Sequence, residues 1–377
     1  MKKENLKGLF ISLLALFVLT ACSNTQIQPG QDQENTDNPG QEENVPSFYG
    51  TSGHYYRPII RDGAYRPSQS RGITQRLNST INIKAFESGL MSLASQHFST
   101  DKHFFEEGQY ISSETVSAWV RRESSDNPQG LNPVDNGEAE AEMRSPIYLE
   151  SVLEQDYYVE TENGMQLAGM MIGLAMNSVD YYQAEQYGPI LSQEIPDEDI
   201  RNQSQEMINQ ILDEIREVDE LHDIPIVFAI FKQSPRDNLA GGNYVSQTVS
   251  ASGNELGEYE NLNYSKLVFP LEGEGTAVAT NFEAFKSEVE QFFPNLSGVT
   301  GIGSYKGDQI ESLRVDITTQ FYGEAEMIAF AQYVEVAAQN HLPINIPVEI
   351  TIDSMDDVEA FLYTNGESSQ YFSHVFK

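Results

Sequence analysis

The sequence has one cysteine, one tryptophan and no apolar run of membrane-spanning length. Its longest, Leu9 to Ala21, is 13 residues, where a spanning helix needs roughly 20. A lone cysteine excludes an internal disulfide framework and any cysteine-built zinc centre. The six histidines (His54, His97, His103, His222, His341, His374) are scattered, without HExxH or any other metal-ligand spacing. There is no G-x-S-x-G elbow, and "GIGSYKG" (301–307) lacks the phosphate-loop spacing and reads as a turn between strands. These absences point to no cofactor, no metal and no catalytic constellation. Positive charge is scarce too: 22 Lys and Arg stand against 57 Asp and Glu, a formal charge of −35 over 377 residues. Such a surface repels phosphate backbones, which argues against nucleic acid as a partner.

What is present is uneven along the chain. The start "MKKENLKG" followed by "LFISLLALFVLTA" is a short basic region and an apolar stretch of secretory length. Leu19, Thr20, Ala21 and Cys22 resemble a bacterial lipobox: an aliphatic residue, two small residues that let a peptidase seat an extended backbone, and a thiol to be alkylated by a diacylglyceryl group. Cleavage before Cys22 makes it the new N-terminus and the lipidation site. Each buried methylene contributes about 0.8 kcal/mol and one acyl chain holds only marginally, so two or three chains on Cys22 are needed for a stable anchor. Losing residues 1–21 removes Lys2, Lys3, Lys7 and Glu4 and leaves 19 basic against 56 acidic residues, net −37.

Residues 22–53 are rich in Gln, Asn, Gly and Pro, with five acids before Val45 and no Lys or Arg. That composition cannot bury enough apolar surface to offset its ordering entropy, and it reads as a disordered tether. Lipid, tether and body together suit the outer face of a Gram-positive membrane.

The body reads as α+β in two mixed subdomains, 54–195 and 196–377. Ile83, Phe86, Leu90, Leu93, Ala94 and Phe98 recur at helical spacing, and "SSETVSAWV" opens a second helix with Ser112 or Ser113 as its cap. Trp119 lies on that helix as a core residue. Residues 124–146 carry turn dipeptides without apolar period and read as a long loop, whose Glu138, Glu140 and Glu142 lack calcium-loop spacing. A turn at Glu162, Asn163 and Gly164 joins the limbs of a long hairpin, the second of which also permits a buried helix. Ile200, Met207, Ile208, Ile211, Leu212, Ile215 and Val218 trace an amphipathic helix. Beyond the strand-like segments 224–232 and 243–251, the last six elements read β-α-β-β-α-β, the order of a ferredoxin-like unit.

Arg57, Arg61, Arg66 and Arg71 crowd a short stretch against the single acid Asp62. Arginine forks match carboxylate or phosphate, which makes the four candidate anion contacts. The other reading pairs them with the chain's surplus carboxylates, and both stay open at this stage.

The segments "YYRP", "PSQSRG", "FESGLM", "DKHFFEEGQYI", "TVSAWVRR", "GLNP", "LEQDYY" and "LAGMMIGLAMNSVDYY" together resemble the CamS family of lipoproteins, sex-pheromone precursors of low-GC Gram-positive bacteria. The resemblance implies that a signalling peptide comes from the signal segment itself. The family's pheromone type is an apolar heptapeptide, Ala-Ile-Phe-Ile-Leu-Ala followed by Ser or Ala. Here Ala15, Leu16, Phe17, Val18, Leu19, Thr20 and Ala21 are similar to it in length, in Ala15, Phe17 and Leu19, and in ending at the lipobox cut; they differ at Leu16, Val18 and Thr20. The implied partners are signal peptidase II, an intramembrane protease and an oligopeptide-binding receptor, with a membrane reached through the lipid anchor. The alternative is a surface binding lipoprotein for a cell-wall polymer or small ligand.

Overall fold

The computed structural model describes residues 55–74, 76–271, 276–292, 298–320, 323–354 and 357–376. The heptapeptide Ala15 to Ala21, the lipobox, Cys22 and the tether lie outside them. In chain order the first elements are β1 (Arg57–Pro58), β2 (Ile60–Arg61), β3 (Ala64–Tyr65), α1 (Arg71–Thr74), α2 (Thr80–Ala94), β4 (Phe104–Glu107), α3 (Ser113–Trp119), β5 (Leu149–Thr161) and β6 (Gly164–Asn177). They continue with β7 (Val179–Tyr182), β8 (Leu191–Glu194), α4 (Asp197–Ile215), a 3-10 turn Asp219–Leu221, β9 (Ile226–Gln233), β10 (Asn243–Ser250) and β11 (Glu260–Asn261).

The hairpin of β5 and β6 is the spine of this half. Thr161 pairs with Gly164 across the turn, where Gly164 takes φ +102°, a region that glycine enters without steric cost. The second limb is a strand buried on both faces, and its two faces serve two cores. Met170, Ile172, Leu174 and Met176 meet Met207, Ile208, Ile211, Leu212 and Ile215 of α4. Met171 and Ala175 meet Phe86, Leu90, Leu93 and Ala94 of α2. Gly169 and Gly173 share the α2 face, where a Cβ on Gly173 would stand 2.9 Å from the Phe86 ring. The glycines leave room for aromatic rings, which is why the "LAGMMIGLAM" run alternates as it does.

β6 pairs in parallel with β9 through α4 as crossover, and the sheet order is β1-β4-β5-β6-β9-β10-β11. The helices α2 and α4 cover its opposite faces, giving three layers. Ser79 caps α2 by accepting the Asn82 N–H and Ser112 caps α3 by accepting the Thr115 N–H. Asp197, Glu198 and Asp199 fill the first turn of α4, where carboxylates favour the positive end of the helix dipole.

The remaining elements are β12 (Tyr264–Phe269), α5 (Ala277–Glu290), β13 (Gly298–Lys306), β14 (Gln309–Thr318), α6 (Glu324–His341), β15 (Val348–Asp353), β16 (Val358–Thr364) and β17 (Phe372–Val375). Leu313, Val315 and Ile317 of β14 point inward to Phe282, Phe285, Phe330 and Val334 of the two helices, while Arg314 is exposed. Each such fully buried side chain contributes about 1.5–3 kcal/mol.

The class is α+β. The order β-α-β-β-α-β is present as β12-α5-β13-β14-α6-β15, but the ferredoxin-like arrangement is not. An interleaved unit sets a strand between the first and second of its strands, whereas β12 and β13 pair directly and antiparallel, from Tyr264 opposite Lys306 to Phe269 opposite Gly301. The six strands lie in chain order; apolar periodicity specifies the elements in turn and not which edges meet. The change of sheet falls between Asn261 and Tyr264. It does not coincide with 195/196, since α4, β9 and β10 complete the first sheet and its core.

Candidate functional site

A cleft of about 800 Å³ opens beside the C-terminal end of β9, within the range of about 300–1,000 Å³ typical of small-ligand sites. Its walls come from Ser178, the first turns of α4, the loop 234–242, the start of β10, Tyr259, and Tyr264 and Lys266 on β12. Asn82 of α2, fully buried, holds the loop in place. Its Oδ1 accepts the Gly242 N–H at 2.7 Å and the Ser234 N–H at 3.2 Å, and its Nδ2 donates to the Ser234 carbonyl at 3.0 Å. Gly241 has φ +73°, and a Cβ on Gly242 would lie 2.3 Å from the Lys232 carbonyl oxygen. Only a Gly-Gly pair lets the loop close so tightly.

The Gly242 carbonyl accepts a hydrogen bond from Lys266 Nζ at 3.0 Å. Burial pushes the Lys266 amine down to about 8, and the like charge of Arg314 pushes in the same direction. No carboxylate among the described residues forms an ion pair with Lys266. Lys232, by contrast, is paired with Asp197. Two hydroxyls in the walls, Tyr259 OH and Ser178 Oγ, are shut off from solvent without a hydrogen-bond partner. Burial raises the Tyr259 phenol to about 12, so it stands as a donor.

The four arginines have separate fates. Arg57 lies over the Phe104 ring at 3.9 Å and donates to the Asp101 carbonyl. Arg61 grips Glu106 with two bonds, Nε to Oε1 at 2.8 Å and Nη2 to Oε2 at 2.9 Å. Arg66 faces Asp62 at 3.6 Å with both side chains well exposed, and Arg71 is exposed on α1. The surplus-carboxylate reading describes Arg61 and Arg66.

Beneath Arg61 lies an acidic group that the sequence did not single out. Glu106, Glu154 and Asp156 are 2%, 1% and 0% exposed. Glu154 accepts the N–H groups of Tyr110 and Ile111 at 2.9 and 2.7 Å, and Asp156 Oδ2 accepts the Gln109 N–H at 3.0 Å. Burial raises Glu154 against those backbone donors. Asp156 is held well above the usual carboxylate range by burial and then by the charge of Glu154. Its Oδ1 has no hydrogen-bond partner, so the ionised form is poorly compensated there. The segments "PSQSRG", "DKHFFEEGQYI" and "LEQDYY" meet at this group, for Ser68 N–H donates to Glu107 and Gln69 N–H to the Gly108 carbonyl.

Trp119 is in the core, and its Nε1 donates to Glu214 at 2.9 Å. Glu138 and Glu140 are exposed in the loop, with Glu142 beside them. Among the described residues no group of His, Cys, Asp or Glu is placed to hold a metal ion. Sequence reasoning missed Lys266, Tyr259 and Ser178, the last of them some eighty residues before the other two. The one available signal was a lysine inside the strand "YSKLVF", in a chain short of cations.

The family model described as CamS sex pheromone cAM373 precursor matches residues 65–370. A crystal structure of a sex pheromone precursor from Lactobacillus salivarius subsp. salivarius UCC118 is 41% identical, with TM-score 0.83 over 86% of this chain and 97% of that one. The C-terminal domain of the sex pheromone staph-cAM373 precursor from Staphylococcus aureus is 30% identical, with TM-score 0.66 over 80% of this chain and 98% of that one. Among curated proteins, none matches the chain. With a family model spanning most of the folded body and a relative this similar over nearly its whole length, the chain belongs to the CamS family of sex pheromone cAM373 precursors.

Proposed function

We propose that the chain is a membrane-anchored surface lipoprotein whose signal segment yields an apolar heptapeptide signal, Ala15 to Ala21. The observation that carries this is the coincidence of the segment's last residue, Ala21, with the cut before Cys22, in a chain whose family is that of pheromone precursors. In this reading signal peptidase II cuts before Cys22 and an intramembrane protease cuts before Ala15. The uncharged fragment leaves the bilayer, and its backbone groups are met by those of an oligopeptide-binding receptor, as in strand-addition recognition. Acyl chains on Cys22 hold the body at the outer face of the membrane. No helix of the described residues is long and apolar enough to cross a membrane.

Mass spectrometry of the culture medium tests the proposal. The chain should release Ala-Leu-Phe-Val-Leu-Thr-Ala, and Cys22→Ala should abolish both release and lipidation. A lipidated body without any peptide ending at Ala21 would overturn it.

A further inference from the structure

We infer that the outer edge of β17 binds an extended basic peptide, which adds to the second sheet as a further strand and lays its lysine or arginine side chains on the aromatic rings beside it. This concerns the folded body and does not depend on the fate of residues 15–21.

The backbone calls for a strand. β17 ends the order β12-β13-β14-β15-β16-β17 and pairs with β16 on one side only. The Phe376 N–H donates to the Glu359 carbonyl at 2.9 Å, and backbone groups alternate sides along an antiparallel strand. Phe372 and His374 therefore turn their N–H and C=O groups to β16. Ser373 and Val375 turn theirs outward, where none has a partner among the described residues. Proteins commonly guard such an edge with lysine, proline or a bulge. Residues 372–376 have none of these, and apart from its shortness the edge stands open.

The side chains call for positive charge. The helices α5 and α6 pack on one face of the sheet, and alternation gathers Phe361, Tyr363, Phe372, His374 and Phe376 on the other. The Phe361 and Tyr363 rings are near parallel, 9° apart with centroids at 6.4 Å, and Phe372 and Phe376 are 67% and 46% exposed. Ring faces carry negative charge density that attracts ammonium and guanidinium groups. Glu349, opposite Tyr363, and Glu359, opposite Phe376, lie on the same face. From Leu342 to Phe376 the chain has six acids and no Lys or Arg. Arg314, opposite Glu349, is ion-paired with Asp316. A second copy of the chain brings the same heavy negative charge and is repelled. A basic strand meets the open backbone groups, the ring faces and the carboxylates together, as in strand addition where the surface reads alternate side chains.

The test is fluorescence polarisation of a labelled short peptide with lysine at every second position, titrated with the full chain at physiological salt. It should bind at least tenfold tighter than the same peptide with glutamate for lysine. It should also bind at least tenfold tighter than the lysine peptide N-methylated along its backbone, which keeps the charge but cannot pair along an edge. Ser373→Pro removes an outward N–H and should weaken binding about tenfold or more with the melting temperature little changed, since that N–H has no partner to lose. Phe372→Ala and Phe376→Ala should each weaken it severalfold. Both rings are exposed, so these two variants keep the test valid even if Ser373→Pro fails to fold. Equal binding of the acidic or the N-methylated peptide, or binding indifferent to Phe372→Ala and Phe376→Ala, would overturn the inference. So would tighter binding of chitohexaose than of the lysine peptide, which makes the rings a glycan platform, or sedimentation as a dimer that Ser373→Pro dissociates, which gives the edge to a second copy.

Discussion

Arg61→Ala is the substitution that most directly separates a ligand contact from an internal ion pair. Glu106 is 2% exposed and its two oxygens are met by the Arg61 fork at 2.8 and 2.9 Å. Removing the guanidinium leaves a carboxylate buried without its cation, at a cost of about 3 kcal/mol. Glu106→Leu should cost less, because Arg61 is partly exposed and can turn to water. The double variant Arg61→Leu with Glu106→Leu removes both charges and should return to within about 1 kcal/mol of the parent, since apolar replacement of a buried pair is often neutral. The assay is urea unfolding followed by fluorescence of the single tryptophan. Trp119 is 1% exposed in the same half of the molecule as the pair, so its emission reports that half alone. A free-energy cycle from the four proteins gives the coupling. If Arg61→Ala is as stable as the parent, or the coupling is near zero, the pair is not structural and Arg61 returns to the list of candidate anion contacts.

Asp156→Asn should flatten the dependence of stability on pH. The folded state holds a proton on the raised Asp156 that the unfolded chain gives up, so stability falls as pH rises from the ordinary carboxylate range toward the folded value; equilibrium unfolding at several pH values would show that slope in the parent and its loss in the variant. Gly169→Ala should destabilise by about 1–3 kcal/mol, because a Cβ there would stand 2.3 Å from the Phe98 ring; unchanged urea midpoints would contradict that close packing.

Periodicity exposed those elements that bury one continuous stripe or turn on a glycine. The α4 stripe from Ile200 to Ile215 and the turn at Gly164 are of this kind, and both are in the structure. Strand partnership was not legible, because it is decided by edges: nothing local to β12 says that it meets β13 and not a later strand. The candidate site was illegible for a related reason. Ser178 lies some eighty residues before Tyr259 and Lys266, and each is unremarkable beside its own neighbours. The acidic group beneath Arg61 was hidden by abundance, since Glu154 and Asp156 are two among 57 acids and only burial distinguishes them. The arginine cluster was legible as a cluster and misleading as a unit, because β1, β2 and α1 carry its members to different partners.

The two sheets also differ in how long each strand waits for its neighbour. In the second sheet every pair joins strands consecutive in the chain. In the first, β6 ends at Asn177 and its parallel partner begins at Ile226. A chain growing from its N-terminus therefore carries the long apolar edge of β6 uncovered until β9 exists. Uncovered edges of this kind are templates for pairing between molecules. The segment that emerges between the two strands, residues 178–225, is strongly acidic, and like charges of that kind repel.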